Sequence, residues 1–291
     1  MDRRSRFAIR TDALVRKVMW HTLSARLPLV LVPEYPKSGG TWLSMMLSDY
    51  LRLPCPRNRL PVLRASVMHG HHLYSPSFSN VFCLIRDGRD AMVSLYFHLL
   101  FEHDRNHPQL VKASRSALAF DSYDDVRTNL PRFIEYVFTR HDRGRFRFTW
   151  SEFVRSWTGT GIHIIKYEQL LADAAGTLEV ALREVLALEP DTERLREIER
   201  DHSFENLTKR KKGQEDQTKF LRKGVAGDWK EKFSPEACRV FDHFAGDELI
   251  LAGYEKDRAW RGRTTSGPSS RRETPSPAPA TVVEPDGAAK R

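Results

Sequence analysis

The chain has 291 residues, 40% of them hydrophobic and 29% charged, with a formal net charge of +9. That supplies enough apolar material for a sizeable core and argues against wholesale disorder, and no apolar stretch approaches the roughly 20 residues a membrane span requires. The positive balance favours phosphate-rich cofactors, nucleic acid, anionic lipid or sulfated glycans as partners, without choosing among them.

The first 26 residues are Arg-rich and read as an N-terminal segment ahead of the main domain, with Asp2 and Asp12 weighing against an organelle transit peptide. Residues 29–32 are a β-like apolar run, and 41–51 follow at helical spacing. A second strand is expected at 66–69 and a third at 81–85, followed by a helix over 89–101. A polar and aromatic stretch then interrupts the rhythm, with helices expected at 123–139 and 149–157. Residues 162–166 read as a fourth strand and 168–186 as its helix. Residues 201–228 are charged and aperiodic, with KRKKG near their centre, and read as a mobile basic loop; a last helix is expected over 235–251. From 258 onward Pro, Ser, Ala and charge dominate, so the main domain is taken as 27–257 and the remainder as a disordered tail. Strand alternating with helix predicts an α/β fold with a central parallel β-sheet flanked by helices. Cys55, Cys83 and Cys238 form no CxxC pair and have no companion His at zinc spacing. No disulfide framework and no metal site are read from them, and a reducing, cytoplasmic setting is expected.

The strongest local signal is Tyr35-Pro36-Lys37-Ser38-Gly39-Gly40-Thr41-Trp42, between an apolar strand and a helix. Glycines allow a tight turn, and the helix start offers unpaired N–H groups at its positive end. Lys37 adds a charge, and Ser38 and Thr41 add hydroxyls. In the nucleotide-triphosphate loop GxxxxGK[ST] the lysine follows the glycines, whereas here it precedes them. An ordinary capped turn is the plain alternative.

This loop closely resembles the PKSGTTW loop of the sulfotransferases that use 3′-phosphoadenosine 5′-phosphosulfate (PAPS), with Gly40 in place of the first threonine. The resemblance implies a three-layer P-loop-like fold. It also implies that Lys37, Ser38, Gly39, Gly40 and Thr41 cradle the 5′-phosphosulfate and that Trp42 lies against the adenine. Cys83-Leu84-Ile85-Arg86-Asp87-Gly88-Arg89-Asp90, running on to Ser94, is similar to the family's 3′-phosphate segment, which assigns Arg86 and Ser94 to that phosphate. Tyr167, in Lys166-Tyr167-Glu168-Gln169-Leu170, matches an adenine contact, and Phe204 corresponds to the residue on the adenine's other face. Phe220-Leu221-Arg222-Lys223-Gly224, with Gly227-Asp228-Trp229-Lys230, resembles the segment that closes over the 3′-phosphate, through Arg222, Lys223 and Gly224.

Sulfuryl transfer needs alignment and charge neutralisation at the leaving group, and a base for the acceptor's proton. Val67-Met68-His69-Gly70-His71-His72 offers three histidines at a strand end, and the resemblance puts His71 on the family's base and His69 on its lysine. Lys37 is assigned to the leaving phosphate oxygen. The expected reaction is sulfuryl transfer from PAPS to a hydroxyl or amine of a small-molecule acceptor. Residues 97–105 and the aromatics of 120–157 are expected to line the acceptor pocket, with no metal and no nucleic-acid partner. The alternatives are a P-loop small-molecule kinase using ATP and magnesium, and a non-catalytic polyanion-binding module. The region after Lys230 resembles the family's dimer motif but departs at Ser234-Pro235, so no oligomeric state is read from it.

Overall fold

The β-branched and aliphatic runs of this chain are apolar at successive positions, which suits strands covered on both faces. In the computed structural model, which describes residues 6–24, 26–56, 65–106, 108–140 and 148–262, they form β1 (Leu29–Pro33), β2 (Ser66–Gly70), β3 (Cys83–Ile85) and β4 (Ile164–Lys166). β1 pairs in parallel with β2, opposing Val32 to His69, and β3 pairs in parallel with β4. Parallel bridges Leu31–Val81 and Glu34–Leu84 join the two ladders into the order β2-β1-β3-β4.

Alternation along each strand divides the core in two. Leu29, Leu31, Met68, Cys83 and Ile85 face one layer, while Val30, Val32, Val67, Leu84 and Ile165 face the other. The second layer is formed by α2 (Gly40–Leu51), α7 (Tyr167–Ala172), α8 (Ala174–Leu186) and α9 (Thr192–Asp201). The first is larger and contains α3 (Gly88–Leu100), α4 (Pro108–Ala117), α5 (Val126–Thr139), α6 (Trp150–Trp157) and α12 (Pro235–Leu251). Short helices α10 (Phe204–Thr208) and α11 (Trp229–Lys232) flank the basic segment. The three-layer α/β architecture is as expected.

Several boundaries differ from the sequence reading. The N-terminal segment contributes helix α1 (Arg6–Thr22), whose Trp20 is fully buried. At the other end Arg258–Gly262 forms a 3₁₀ turn that buries Trp260 completely. One large aromatic therefore carries the packed chain past 257 in spite of its polar neighbours; the rest of the expected tail lies outside the described residues. The helix expected over 168–186 breaks at Asp173, whose φ of −151° is non-helical and whose side chain caps α8 through the Gly176 N–H. Helices α4 and α9 were not anticipated. α9 carries only Leu195 and Ile198 as buried residues, too sparse a pattern to separate from a solvated charged stretch.

Candidate active site

Every strand ends at the same edge of the sheet, and the segments that follow converge there. Glu34 and the phosphate loop follow β1, His71 follows β2, Arg86 follows β3 and Tyr167 follows β4. A cavity of about 620 Å³ occupies this edge, where ligands bind in open parallel sheets.

The loop at 35–42 turns through two left-handed residues, Lys37 with φ 72° and Gly39 with φ 102°. Only the second requires glycine sterically: a Cβ on Gly39 would lie 2.7 Å from Cδ2 of Tyr167. Ser38 is completely buried, and its hydroxyl has no hydrogen-bond partner among the described residues. Lys37 lies over the Phe220 ring at 3.6 Å. Burial first, then Arg86, Arg222 and Arg105, lower its ammonium from 10.5 to about 7 against the opposing pull of Glu34. Gly39, Gly40, Thr41 and Trp42 border the cavity, and the Trp42 indole N–H donates to the His202 carbonyl at 2.8 Å.

Arg86 crosses beneath the loop. It donates to the carbonyls of Lys37 at 3.1 Å and Val225 at 3.3 Å, and its guanidinium stacks on Tyr167 at 4.4 Å. Its Nε is buried and unpaired among the described residues. Ser94, two helical turns along α3, faces the same cavity.

Residues 209–228 are pinned rather than mobile. Arg210 donates to the carbonyls of Gln214, Leu221 and Arg222, and the Phe220 N–H donates to Asp104. Arg222 pairs with Glu215 at 2.6 Å and with Asp228, and it lies over the Phe97 ring at 4.2 Å. Lys223 reaches Asp228 at 2.6 Å. Burial opposes ionisation of Asp228, but Arg222 and Lys223 hold its carboxyl below the ordinary value. Gly224 has φ 67°, and a Cβ there would lie 2.3 Å from the buried Phe204 ring. The cavity thus brings together Lys37, Gly39, Gly40, Thr41, Trp42, Arg86, Ser94, Tyr167, Phe204, Arg222, Lys223 and Gly224, with Ser38 directly behind its wall.

The histidines separate. His69 Nε2 bonds Oε1 of Glu34 at 2.7 Å. His71 is exposed, and its Nδ1 is held by the Glu34 main-chain oxygen at 3.0 Å. His72 stacks on Trp20 at 4.2 Å, away from the loop. The aromatic acceptor wall expected from 120–157 is not formed by Trp150, Phe153 and Trp157. These are fully buried in the first core layer, because α6 turns its apolar face onto α12.

Sequence reasoning passed over Glu34 and Phe220, which border the cavity, as does Arg105 at the end of the expected acceptor stretch 97–105. Phe220 belongs to a recognised motif but was given no role. Glu34 adjoins the phosphate loop, yet a carboxylate in an anion cradle contradicts the charge logic used to find the loop.

A family model described as a sulfotransferase domain matches residues 57–253, a stretch that begins after the phosphate loop. Among curated proteins, mouse (Mus musculus) Sulfotransferase 2A6 is 24% identical, covering 76% of this chain and 84% of that one. A solved structure of mouse sulfotransferase SULT7A1 complexed with PAP superposes with a TM-score of 0.58 at 18% identity, covering 85% of this chain and 94% of the other. A retinol dehydratase in complex with androsterone and inactive cofactor PAP gives a TM-score of 0.51 at 17% identity, covering 82% and 85%.

Proposed function

From the premise that the chain belongs to the sulfotransferase domain family, we propose that it moves a sulfuryl group from PAPS to a hydroxyl or amine of a small-molecule acceptor. The observation that carries this reading is the orphaned polar lining of the cradle. Ser38 Oγ and Arg86 Nε are buried without partners among the described residues, at the loop and at the strand end assigned to the two ends of the cofactor. Buried donors of this kind carry a desolvation penalty that a bound anion removes. The relatives complexed with PAP support the same choice of ligand.

When bound, PAPS supplies the activated sulfuryl group. Lys37 and the N–H groups of Gly39 and Thr41 hold the 5′ end and neutralise charge developing on the leaving oxygen, while the Gly40 N–H is held by the Glu34 carboxylate. Arg86, Ser94, Arg222, Lys223 and the Gly224 backbone hold the 3′-phosphate. Trp42, Tyr167 and Phe204 enclose the base. A histidine of the 69–72 strand end takes the acceptor's proton, His71 being the one the family resemblance selects. The lysine ahead of the glycines argues against an ATP-dependent kinase.

Three widely separated cysteines with no CxxC pair, Cys83 and Cys238 among them buried, support a reducing compartment, which we take to be the cytoplasm. Among the described residues no helix is long and apolar enough to cross a membrane.

The test is calorimetric titration of 3′,5′-adenosine bisphosphate into the wild type and Arg86→Ala without magnesium. Micromolar binding is expected, weakened about 30-fold or more in the variant, because truncating a buried charged contact costs roughly 2–5 kcal/mol. Absence of wild-type binding, or equal binding to both proteins, overturns the reading.

A further inference from the structure

Glu34 is a buried carboxylate at the mouth of an anion cradle, and both of its oxygens are engaged. Oε1 meets His69 Nε2 at 2.7 Å, and Oε2 accepts the Gly40 N–H at 2.5 Å. Burial alone would push this carboxyl up, yet His69, then His71 and the Gly40 N–H, keep it below its ordinary value. Gly40 is glycine for a matching reason: a Cβ there would lie 2.6 Å from the Glu34 carboxyl carbon and 2.8 Å from both Cδ2 and Nε2 of His69. The threonine found in the related loops therefore has no room here. Glu34, Gly40 and His69 are one interlocked unit, and two of its members, Gly40 and His69, are positions where this chain departs from the family pattern.

Resting on the sulfotransferase reading, we propose that His69 is the catalytic base and Glu34 its positioning residue, in place of His71. With Nε2–H donated to Glu34, the other ring nitrogen, Nδ1, is the proton acceptor; it makes no hydrogen bond among the described residues, and the side chain keeps 16% of its surface exposed. The acceptor's oxygen attacks sulfur as its O–H proton passes to Nδ1. The bond between sulfur and the phosphate oxygen breaks, and its electron pair leaves on adenosine bisphosphate. The proton remains on an imidazolium paired with the Glu34 carboxylate, an arrangement of base and orienting acid with known precedent in nucleophilic catalysis.

The neighbours favour this over a bound metal. Glu34, His69 and His71 place a potential ligand atom each within 4.8 Å of one another. However, the same carboxylate lies within the field of Lys37, and Arg16 acts on His71, so a dication would enter a region already built for anions. Among the described residues His71 has no hydrogen bond to a carboxylate; its Nδ1 meets the Glu34 main-chain oxygen, whereas His69 bonds the Glu34 carboxylate itself.

The experiment follows release of adenosine bisphosphate from PAPS, with water or 2-naphthol as acceptor, in wild type, His69→Ala, His71→Ala and Glu34→Gln. It is accompanied by calorimetric binding of adenosine bisphosphate to each protein. His69→Ala is expected to lose about 100-fold or more in turnover, at least ten times the loss of His71→Ala, while still binding adenosine bisphosphate. Nitrogen-detected NMR of the histidine rings should show protonated Nε2 at His69 in the wild type and loss of that tautomer preference in Glu34→Gln, a signal a merely structural carboxylate would not move. A larger loss in His71→Ala, an Nδ1–H tautomer at His69, or turnover abolished by a chelator and restored by zinc or cobalt each overturns the assignment. If instead the wild type binds no adenosine bisphosphate, the sulfotransferase reading itself has failed, a distinct result.

Discussion

In the phosphate loop the backbone turns inside a buried frame, whereas residues 209–228 hold their course mainly through charged side chains. Lys37 to Trp42 are fixed by the sheet below, by Tyr167 against Gly39 and by Arg86 under the Lys37 carbonyl. The basic segment depends on Arg222 and Lys223 converging on Asp228, and on Arg210 gathering three carbonyls. In the first the backbone is already turned, with the Gly40 N–H held by Glu34. The second presents cations already satisfied by carboxylates, so a 3′-phosphate bound as proposed competes with Asp228 and Glu215 for the Arg222 and Lys223 donors. Local backbone geometry makes a preformed cradle, and ion pairing makes an adjustable clamp.

Gly39→Ala should break the rigid half most severely. It combines an L side chain at φ 102° with a 2.7 Å approach to Tyr167, and strain of about 1–3 kcal/mol is expected before the clash is counted. Binding of adenosine bisphosphate should fall beyond detection and the melting temperature should drop. Lys223→Ala, on the adjustable half, removes one of the two cations on Asp228 and should weaken binding about 10-fold with little change in melting. Equal melting losses in the two variants would erase the distinction drawn here.

Asp228→Asn removes the anion that organises Arg222 and Lys223. Arg222 keeps Glu215 and Lys223 keeps Glu231, so losing the shared carboxylate costs about 2 kcal/mol, and hydrogen exchange should accelerate across 213–227 while the 35–42 amides stay protected. Acid should do the same more gradually. Because Asp228 titrates below its ordinary value when folded, its stabilisation is complete above the unfolded value of about 3.9 and is lost as pH falls through the folded one. Exchange in the clamp should therefore be unchanged from neutrality down to that range.

Lys37, lowered to about 7, is mostly neutral at pH 8 in the free protein. An anion bound beside it favours the charged form, so calorimetry at pH 8 in buffers of different ionisation enthalpy should report uptake of about one proton. Affinity should decline as pH rises above 7. Lys37→Met should abolish the uptake; uptake that survives would place the titrating group elsewhere. The smallest effect is expected from Trp42→Phe, which removes only the indole bond to His202, worth about 1 kcal/mol of binding or stability.

The cradle was legible because it is local. Strand, turn and helix dictate where the N–H groups of 39–41 point, and eight consecutive residues carry the whole signal. The four strands were legible as apolar runs for the same reason. A continuous apolar run does not show which residues face which of the two core layers, so that division came only with the structure. The two terminal tryptophans, Trp20 and Trp260, fill the core from segments whose composition is polar, and composition averages away a single large side chain.

The sequence by itself determined the α/β class, the phosphate loop and the order of the segments that contribute to the cavity. Only the tertiary structure decided which histidine meets a carboxylate, that Asp228 clamps the basic segment, and that the aromatics of α6 belong to the core. These depend on the parallel register that sets Val32 against His69, and on contacts between residues far apart in the chain. No local periodicity encodes such contacts, because their energy exists only once the sheet has formed.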